Sequence, residues 1–93
     1  MIKSFACEET ERIWEGERSR RLPGDIQPLA RRKLRMIHNA EEIAALRVPP
    51  GNRLEVLHGD RNGQYSIRIN RQWRICFEFD GKDAYEVAIV DYH

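Results

Sequence analysis

The amino-acid sequence predicts an α+β domain in which N-terminal helices pack on one face of an antiparallel sheet. Apolar residues recur every three or four positions up to about residue 46, as in helices, and every second position after residue 53, as in strands. The dipeptides Asn62-Gly63 and Asp80-Gly81 separate strand-like runs and favour the tight turns of a meander. A length of 93 residues fits one domain over residues 1–93.

A short strand and a first helix are expected before residue 24. Ile2, Ser4 and Phe5 suggest the strand, and the helix covers residues 8–15. The acidic residues come early in that helix, where the helix dipole stabilises negative charge. Residues 22–24, with the sequence Leu-Pro-Gly, are expected to end the helical structure.

Two further helices are expected before residue 47. Asp25 is a good N-cap for the second helix, and Pro28 falls in its first turn, where a missing N–H costs nothing. Asn39 and Glu42 have the spacing of a capping box, which predicts a third helix through Leu46. The apolar stripe of the second helix should face the core: Ile26, Leu29, Ala30, Leu34 and Ile37.

Four strands are expected in the second half of the chain, over residues 53–58, 64–70, 73–79 and 84–92. One alternating set is apolar and should face the helices: Tyr65, Ile67, Ile69, Trp73, Ile75, Phe77, Phe79, Tyr85, Val87 and Ile89. The opposite set should line an open, solvated face: Ser66, Arg68, Arg74, Glu86 and Tyr92.

Composition excludes several classes of protein. Charged residues make up 33% and hydrophobic residues 41%, which excludes a disordered chain. No apolar run reaches the roughly 20 residues of a membrane helix, and the N-terminus lacks the apolar core of a signal peptide. We therefore expect a cytoplasmic protein with no membrane partner. Cys7 and Cys76 have neither CxxC spacing nor a nearby histidine cluster, so no metal and no cofactor are expected.

Arginine dominates the basic residues, and two arginines suggest an anion site. Lys3, Lys33 and Lys82 are the only lysines among 16 basic residues, although a genome that favours Arg codons would explain this equally well. Arg68 and Arg74 share the open face on neighbouring strands. Two adjacent guanidiniums suit a phosphate between them, and two ordinary solvated arginines are the alternative.

Two histidines are candidates for proton transfer near neutral pH. His93 closes the chain after Asp91 and Tyr92, and a tyrosine there can stack on a base or donate a hydrogen bond. The alternative is a frayed, inert tail. His58 lies at a strand end before the Gly59 turn, and a half-buried histidine under a loop is its alternative.

Several spaced motifs occur in one order along the chain: Met1-Ile2-Lys3-Ser4-Phe5, Pro49-Pro50-Gly51-Asn52-Arg53-Leu54-Glu55, Gly59-Asp60-Arg61-Asn62-Gly63-Gln64-Tyr65-Ser66-Ile67-Arg68-Ile69-Asn70, Gln72-Trp73-Arg74-Ile75-Cys76-Phe77 and Val90-Asp91-Tyr92-His93. In this order they resemble the HigB family, the plasmid-maintenance killer proteins of the RelE/ParE superfamily. The resemblance covers the whole chain and implies a RelE-like domain with a curved sheet.

The resemblance implies a ribosome-dependent endoribonuclease that enters the A site and cuts mRNA. It also implies a HigA-like antitoxin with a helix-turn-helix domain, through which the toxin–antitoxin complex binds operator DNA. Catalytic positions of the family correspond to Arg74, Asp91, Tyr92, His93 and, where lysine is common, His58. Some relatives carry a histidine where this chain has Glu55. The arginines expected to bind substrate are Arg61, Arg68 and Arg71.

The implied chemistry is attack of the RNA 2′-OH on the adjacent phosphorus without a metal ion. Arg74, helped by Arg68, would stabilise the phosphorane, and His93 would act as acid or base. Two alternatives remain open at this point: a ParE-like toxin that acts on a topoisomerase, and a non-enzymatic module that binds nucleic acid or a protein partner. Cleavage of mRNA during translation distinguishes them from the ribonuclease.

Overall fold

The computed structural model, which describes residues 1–92, arranges two α-helices beside a four-stranded antiparallel sheet and confirms the α+β class. The helices are α1 (Glu8–Trp14) and α2 (Gln27–Asn39). The strands follow in the sheet order β1-β2-β3-β4: β1 (Glu55–Val56), β2 (Gln64–Arg68), β3 (Trp73–Asp80) and β4 (Asp83–Asp91). No helix within residues 1–92 is long and apolar enough to cross a membrane.

The N-terminal segment lies along the outer edge of β4. Two isolated parallel bridges join Ile2 to Ala84 and Phe5 to Val87, so the expected first strand is reduced to two contacts. Thr10 of α1 continues this edge, because its hydroxyl accepts a hydrogen bond from the Ile89 amide at 2.9 Å. The segment thereby covers backbone groups that an edge strand would otherwise expose.

Helix α2 buries the predicted apolar stripe, but two expected helix starts are wrong. Its N-cap is Ile26 without a side-chain hydrogen bond, and Asp25 lies in a preceding 3-10 turn. The expected third helix is a 3-10 segment, Ile43–Arg47, and no side chain caps it at Glu42. Asn39 instead ends α2. A five-residue segment that buries only one side chain cannot offset the cost of nucleating an α-helix.

The core lies between the helices and the inner face of the sheet. Its fully buried members come from both layers: Ile13, Ala30, Leu34, Ile37, Ile67, Ile75, Phe77, Ala84 and Val87. This is the face that the alternation of residues 65–79 predicts. Tyr65, Trp73 and Phe79 pack against this cluster while partly exposed, as expected for residues at its margin.

A β-bulge in β4 interrupts the predicted alternation. Cys76 pairs with Ala88 and Glu78 with Tyr85, so β4 contains one residue more than β3 across this interval. Glu86 occupies the bulge in the left-handed region, with φ of 53°. The prediction that Tyr85 faces the core is therefore wrong, because the bulge changes the parity of the strand before residue 86. The neighbouring Ala84 takes the core position.

Strand β1 is shorter than the six residues expected. Arg53 adopts a left-handed conformation, with φ of 45°, which delays the start of pairing. A 3-10 turn over Gly59–Arg61 follows the strand. Glu55 and Val56 pair with β2, and the Leu57 amide donates one more hydrogen bond to the Gln64 carbonyl at 2.9 Å, so contacts outside the sheet must help to hold so short a segment.

Candidate active site

The candidate site lies on the outer face of the sheet, away from the helices. Residues paired across neighbouring strands share a face, so strand register defines the rows of side chains. One row contains Glu55, Ser66, Cys76 and Ala88, and the next contains Arg68, Arg74 and Val90. Ser66 and Cys76 are fully buried on this face, and the Arg74 side chain contacts Ser66 there.

Arg74 is buried at the centre of this face, with 6% of its surface exposed. The expectation that Arg74 is a solvated side chain on an open face is therefore wrong. The guanidinium lies over the small Ser66 side chain, and its Nε donates to the Ser66 hydroxyl at 2.8 Å. A longer contact of 3.3 Å joins Nη2 to the Ser66 carbonyl. These contacts hold the plane of the guanidinium against the sheet.

The segment around β1 supplies the remaining contacts of Arg74. Nη2 donates to the Arg53 carbonyl at 2.5 Å and forms an ion pair with the Glu55 carboxylate at 3.0 Å. No acceptor for Nη1 occurs among residues 1–92. Because a guanidinium binds anions through its fork of N–H groups, Nη1 is the donor that remains for a ligand.

Glu55 is a site residue that analysis of the sequence did not select. Its carboxylate is half exposed and forms an ion pair with Arg74. Its place in the site follows from strand register: Glu55 lies directly opposite Ser66 and therefore shares the outer face of the sheet. That register joins a two-residue strand to β2 and cannot be obtained from local alternation.

A buried side-chain contact holds the loop that leads to Glu55. Asn52 is fully buried and donates to the carbonyls of Leu46 at 3.1 Å and Val48 at 3.4 Å. Its own side-chain oxygen accepts a hydrogen bond from Lys33 of α2. Burial, with a smaller contribution from nearby Arg32, lowers the pKa of the Lys33 amine. The position of the Arg53 carbonyl over Arg74 therefore depends on the helical layer.

Arg68 lies directly opposite Arg74 across the β2–β3 ladder, as expected. Its Nε donates to the Asn70 carbonyl at 3.0 Å, within the turn that joins these strands. That contact holds Arg68 half-buried at the rim of the site rather than beside an acidic partner. Two guanidiniums on one face provide a positive potential for a phosphate.

Tyr92 reaches the same face from the end of β4. Its ring centroid is 5.5 Å from the Arg74 guanidinium carbon, a cation–π distance, and 44% of the residue is exposed. Its amide donates to the Gln72 carbonyl at 2.6 Å. Asp91 pairs with Trp73 and accepts a hydrogen bond from the Gln72 side chain at 3.0 Å. His93 lies outside the described residues.

The remaining candidates lie at the periphery. His58 is exposed and precedes the 3-10 turn after β1. Arg61 donates to the Gln64 side chain at 3.3 Å, and Arg71 is exposed in the β2–β3 turn. Within residues 1–92, no hydrogen bond or ion pair joins these three side chains to Arg74. The structure therefore brings together Arg68, Arg74 and Tyr92, and adds Glu55. Arg61 lies close enough to Cys76, on the same outer face, for its charge to lower the pKa of that thiol against the effect of burial.

Cysteine chemistry finds little support at this site. Cys76 is fully buried beside Ser66, and burial raises the pKa of its thiol. Neither cysteine forms a disulfide, and Cys7 is only partly buried. Within the described part of the chain, no group of three or more His, Cys, Asp or Glu side chains is placed to hold a metal ion.

Comparisons with known proteins agree with this architecture. The fold is similar to a chain of the YoeB–YefM complex from Staphylococcus aureus, with a TM-score of 0.62, 16% identity, and coverage of 100% of this chain and 98% of that chain. Toxin HigB-1 of Vibrio cholerae serotype O1 is 38% identical over 80 residues, which cover 85% of this chain and 84% of the relative. Endoribonuclease HigB of Proteus vulgaris is 35% identical over the full length of both chains.

A family-level match covers nearly the whole sequence. The sequence model of HigB-like toxins, described as the RelE-like toxin of the type II toxin–antitoxin system HigB, matches residues 3–93. Its range includes both helices and all four strands, together with every residue of the outer face described above. The chain therefore belongs to the HigB-like toxin family.

Proposed function

We propose that this toxin is a ribosome-dependent endoribonuclease that cuts mRNA in the A site and so inhibits translation. The observation that carries the proposal is the buried Arg74 guanidinium. Its Nε and Nη2 are held by Ser66, Arg53 and Glu55, which leaves Nη1 for a ligand. A fixed cation of this kind suits a reaction whose transition state is a highly charged phosphorane. The name of the Proteus vulgaris relative, an endoribonuclease, supports the same chemistry.

The reaction is a transesterification within the RNA. The 2′-oxygen attacks the adjacent phosphorus and loses its proton, the bond from phosphorus to the 5′-oxygen breaks, and that oxygen leaves with a proton. The products are a 2′,3′-cyclic phosphate and a 5′-hydroxyl. Arg74 would bind a non-bridging phosphate oxygen through Nη1. Arg68, directly opposite, would add positive charge to the same face.

Proton transfer needs an acceptor at the 2′-oxygen and a donor at the 5′-oxygen. We assign the first role to Glu55, because its half-exposed carboxylate lies 3.0 Å from Nη2 of Arg74. We assign the second role to His93, with His58 as the alternative, on the family resemblance. Tyr92 would stack on a base beside Arg74, since aromatic rings commonly hold unpaired nucleotides. We assign no metal ion to these steps.

The partners follow from the same proposal. A toxin of a type II system has an antitoxin, and we propose that this antitoxin is HigA-like, with a helix-turn-helix domain that takes the complex to operator DNA. The mRNA and the small ribosomal subunit would be the other partners, which places the toxin in the cytoplasm. The ribosome would align the mRNA, and such alignment lowers the barrier of a reaction by several kcal/mol in favourable cases.

Primer extension on a translated reporter tests the proposal. Wild-type toxin should cut mRNA on programmed ribosomes and leave the same naked RNA nearly intact. Arg74→Lys keeps the charge but loses the fork, and should slow cleavage by roughly a hundredfold or more. Glu55→Gln should also slow it, since the amide cannot accept the proton. Arg35→Lys, on the exposed side of α2, is the matched control and should cut like wild type.

Two results would refute the proposal. Equal cleavage of naked and ribosome-bound RNA would remove the ribosome from the mechanism. Intact mRNA together with inhibition of a topoisomerase would identify a ParE-like toxin instead.

A further inference from the structure

The loop between α1 and α2 carries a second concentration of positive charge. Arg18, Arg20 and Arg21, here called the arginine loop, are all exposed. No salt bridge to any of the three occurs within residues 1–92. The neighbouring Arg12 differs sharply, because it forms ion pairs with Glu8, Glu9 and Glu17 at 3.1–3.6 Å. The three carboxylates therefore pair with Arg12 and not with the arginine loop, although they leave net negative charge beside it.

A buried polar network fixes the conformation of this loop. Ser19, between the arginines, is only 2% exposed, and its hydroxyl donates to Glu9 at 2.6 Å. The same hydroxyl accepts the amides of Arg21 at 3.1 Å and Leu22 at 3.3 Å. Gln27 of α2 accepts the Ser19 amide at 3.1 Å and donates to the Ser19 and Leu22 carbonyls at 2.9 and 3.0 Å. The backbone of the loop is thus bonded on both sides.

The network works against electrostatic repulsion within the loop. Three guanidiniums within four residues repel one another, and holding the loop in one conformation costs backbone entropy. The side chains border one concavity, lined by Glu9, Arg12, Arg18, Arg20 and Arg21. A rigid loop that presents unpaired arginines around a concavity is suited to binding a polyanion, because repulsion is relieved when the anion binds.

The surroundings favour a nucleic acid over a protein as the polyanion. Protein interfaces have an apolar, often aromatic, centre. Of the residues that line the two concavities at the loop, Leu22 alone is apolar, and it is partly buried. The exposed large hydrophobic residues of the described chain, which are Met1, Val48, Val56 and Tyr92, are not among them. Contacts to a phosphate backbone, by contrast, are polar and basic and need no apolar centre.

We propose that the arginine loop binds the phosphate backbone of ribosomal RNA, as a docking surface separate from the candidate active site. The loop belongs to the helical layer, and Arg74 lies on the outer face of the sheet, beyond the core. The domain is 26–32 Å across, so an mRNA strand seated on the outer face would have to pass around it to reach the loop. Structured RNA that surrounds the toxin reaches both surfaces at once. The choice of ribosomal RNA rests on the proposed function.

A docking surface predicts a defined kinetic effect. Neutralising the arginine loop should weaken binding to the ribosome and raise KM, while kcat on saturating programmed ribosomes stays at the wild-type value. Loss of three phosphate contacts should also reduce the slope of log affinity against log salt concentration by about 2–3.

The experiment compares two triple variants of equal charge. Arg18→Gln/Arg20→Gln/Arg21→Gln removes the arginine loop, and Arg32→Gln/Arg35→Gln/Arg47→Gln removes three exposed arginines elsewhere. Binding to vacant 30S subunits is measured over a range of KCl concentrations, after thermal melts establish that both variants fold. We expect the first variant to bind at least tenfold more weakly, with the reduced salt slope, and the control to stay within twofold of wild type.

Further arms separate the outcomes. A short unstructured RNA should bind both variants with equal affinity. If the arginine-loop variant alone bound this RNA more weakly, the loop would be an mRNA-binding surface and the proposal would be overturned. Equal weakening of both triples on 30S subunits would show a diffuse charge effect and overturn it as well. Unchanged 30S binding with weakened antitoxin binding would identify a protein surface instead. Wild-type toxin that binds 30S through the loop but cuts no mRNA would refute the proposed function and leave this inference standing.

Discussion

Replacement of Arg74 by alanine should destabilise the fold as well as abolish activity. The side chain is 6% exposed and satisfies the Ser66 hydroxyl, the Arg53 carbonyl and one oxygen of Glu55. Ser66 is fully buried, and a buried hydroxyl left without its partner costs about 1–3 kcal/mol. Loss of the charged donor to the Arg53 carbonyl adds roughly another 1–2 kcal/mol, and the half-exposed Glu55 recovers water instead. The sum is about 2–5 kcal/mol, a large share of the stability of a small domain.

Urea denaturation followed by tryptophan fluorescence measures this cost. For a slope of about 1–3 kcal/mol per molar urea, the midpoint should fall by about 0.7 M or more. The double variant Arg74→Ala/Ser66→Ala is the sharper test, because it also removes the orphaned hydroxyl. It should be less destabilised than the sum of the two single variants, since the residues share one hydrogen bond. A single variant with an unchanged midpoint would refute the assignment of Arg74 to the framework of the sheet.

Three other perturbations follow from the packing. Phe77→Ala, at a fully buried core position, should cost about 3–5 kcal/mol in chemical denaturation, and a loss below 1 kcal/mol would contradict the core assignment. Thr10→Val removes the acceptor of the Ile89 amide and should cost about 1–3 kcal/mol, whereas Thr10→Ser, which keeps the hydroxyl, should cost less in the same assay. Cys76 is buried and the pKa of its thiol is raised, so a thiol reagent at pH 8 should modify Cys7 much faster than Cys76. The two rates are measured separately in Cys76→Ser and Cys7→Ser variants, and equal rates would show that the outer face opens.

The sequence predicts best what local spacing controls. Helix α2 and the inner positions of β2 and β3 follow from their apolar periodicity, because burial of one face dominates their energetics. The same alternation places Arg68 and Arg74 on the outer face, which the ladder confirms. These predictions need only the periods of a helix and a strand.

The sequence predicts poorly what distant contacts control. Local pattern made Arg74 a solvated residue, whereas its burial depends on Arg53 and Glu55, 21 and 19 positions earlier in the chain. The sequence did not predict Glu55 as a site residue for the same reason. The bulge at Glu86 arises where β4 meets both β3 and Ser4, whose hydroxyl accepts the Glu86 amide at 2.9 Å. Pairing between segments so far apart leaves no trace in a short window of sequence.

The extra residue at Glu86 determines which face of the sheet each later side chain of β4 occupies. It allows Ala84 and Val87 to enter the core although they are three positions apart, an odd number that a regular strand would not permit. In a regular strand without this extra residue, every second position from Ala84 to Tyr92 would face the same side. If Ala84 faced the core, Tyr92 would then also face the helices and would lose its contact with Arg74. Within this family, substitutions along β4 should therefore be tolerated more readily than insertion or deletion of a single residue. The length of the strand, and not only its composition, carries information about the site.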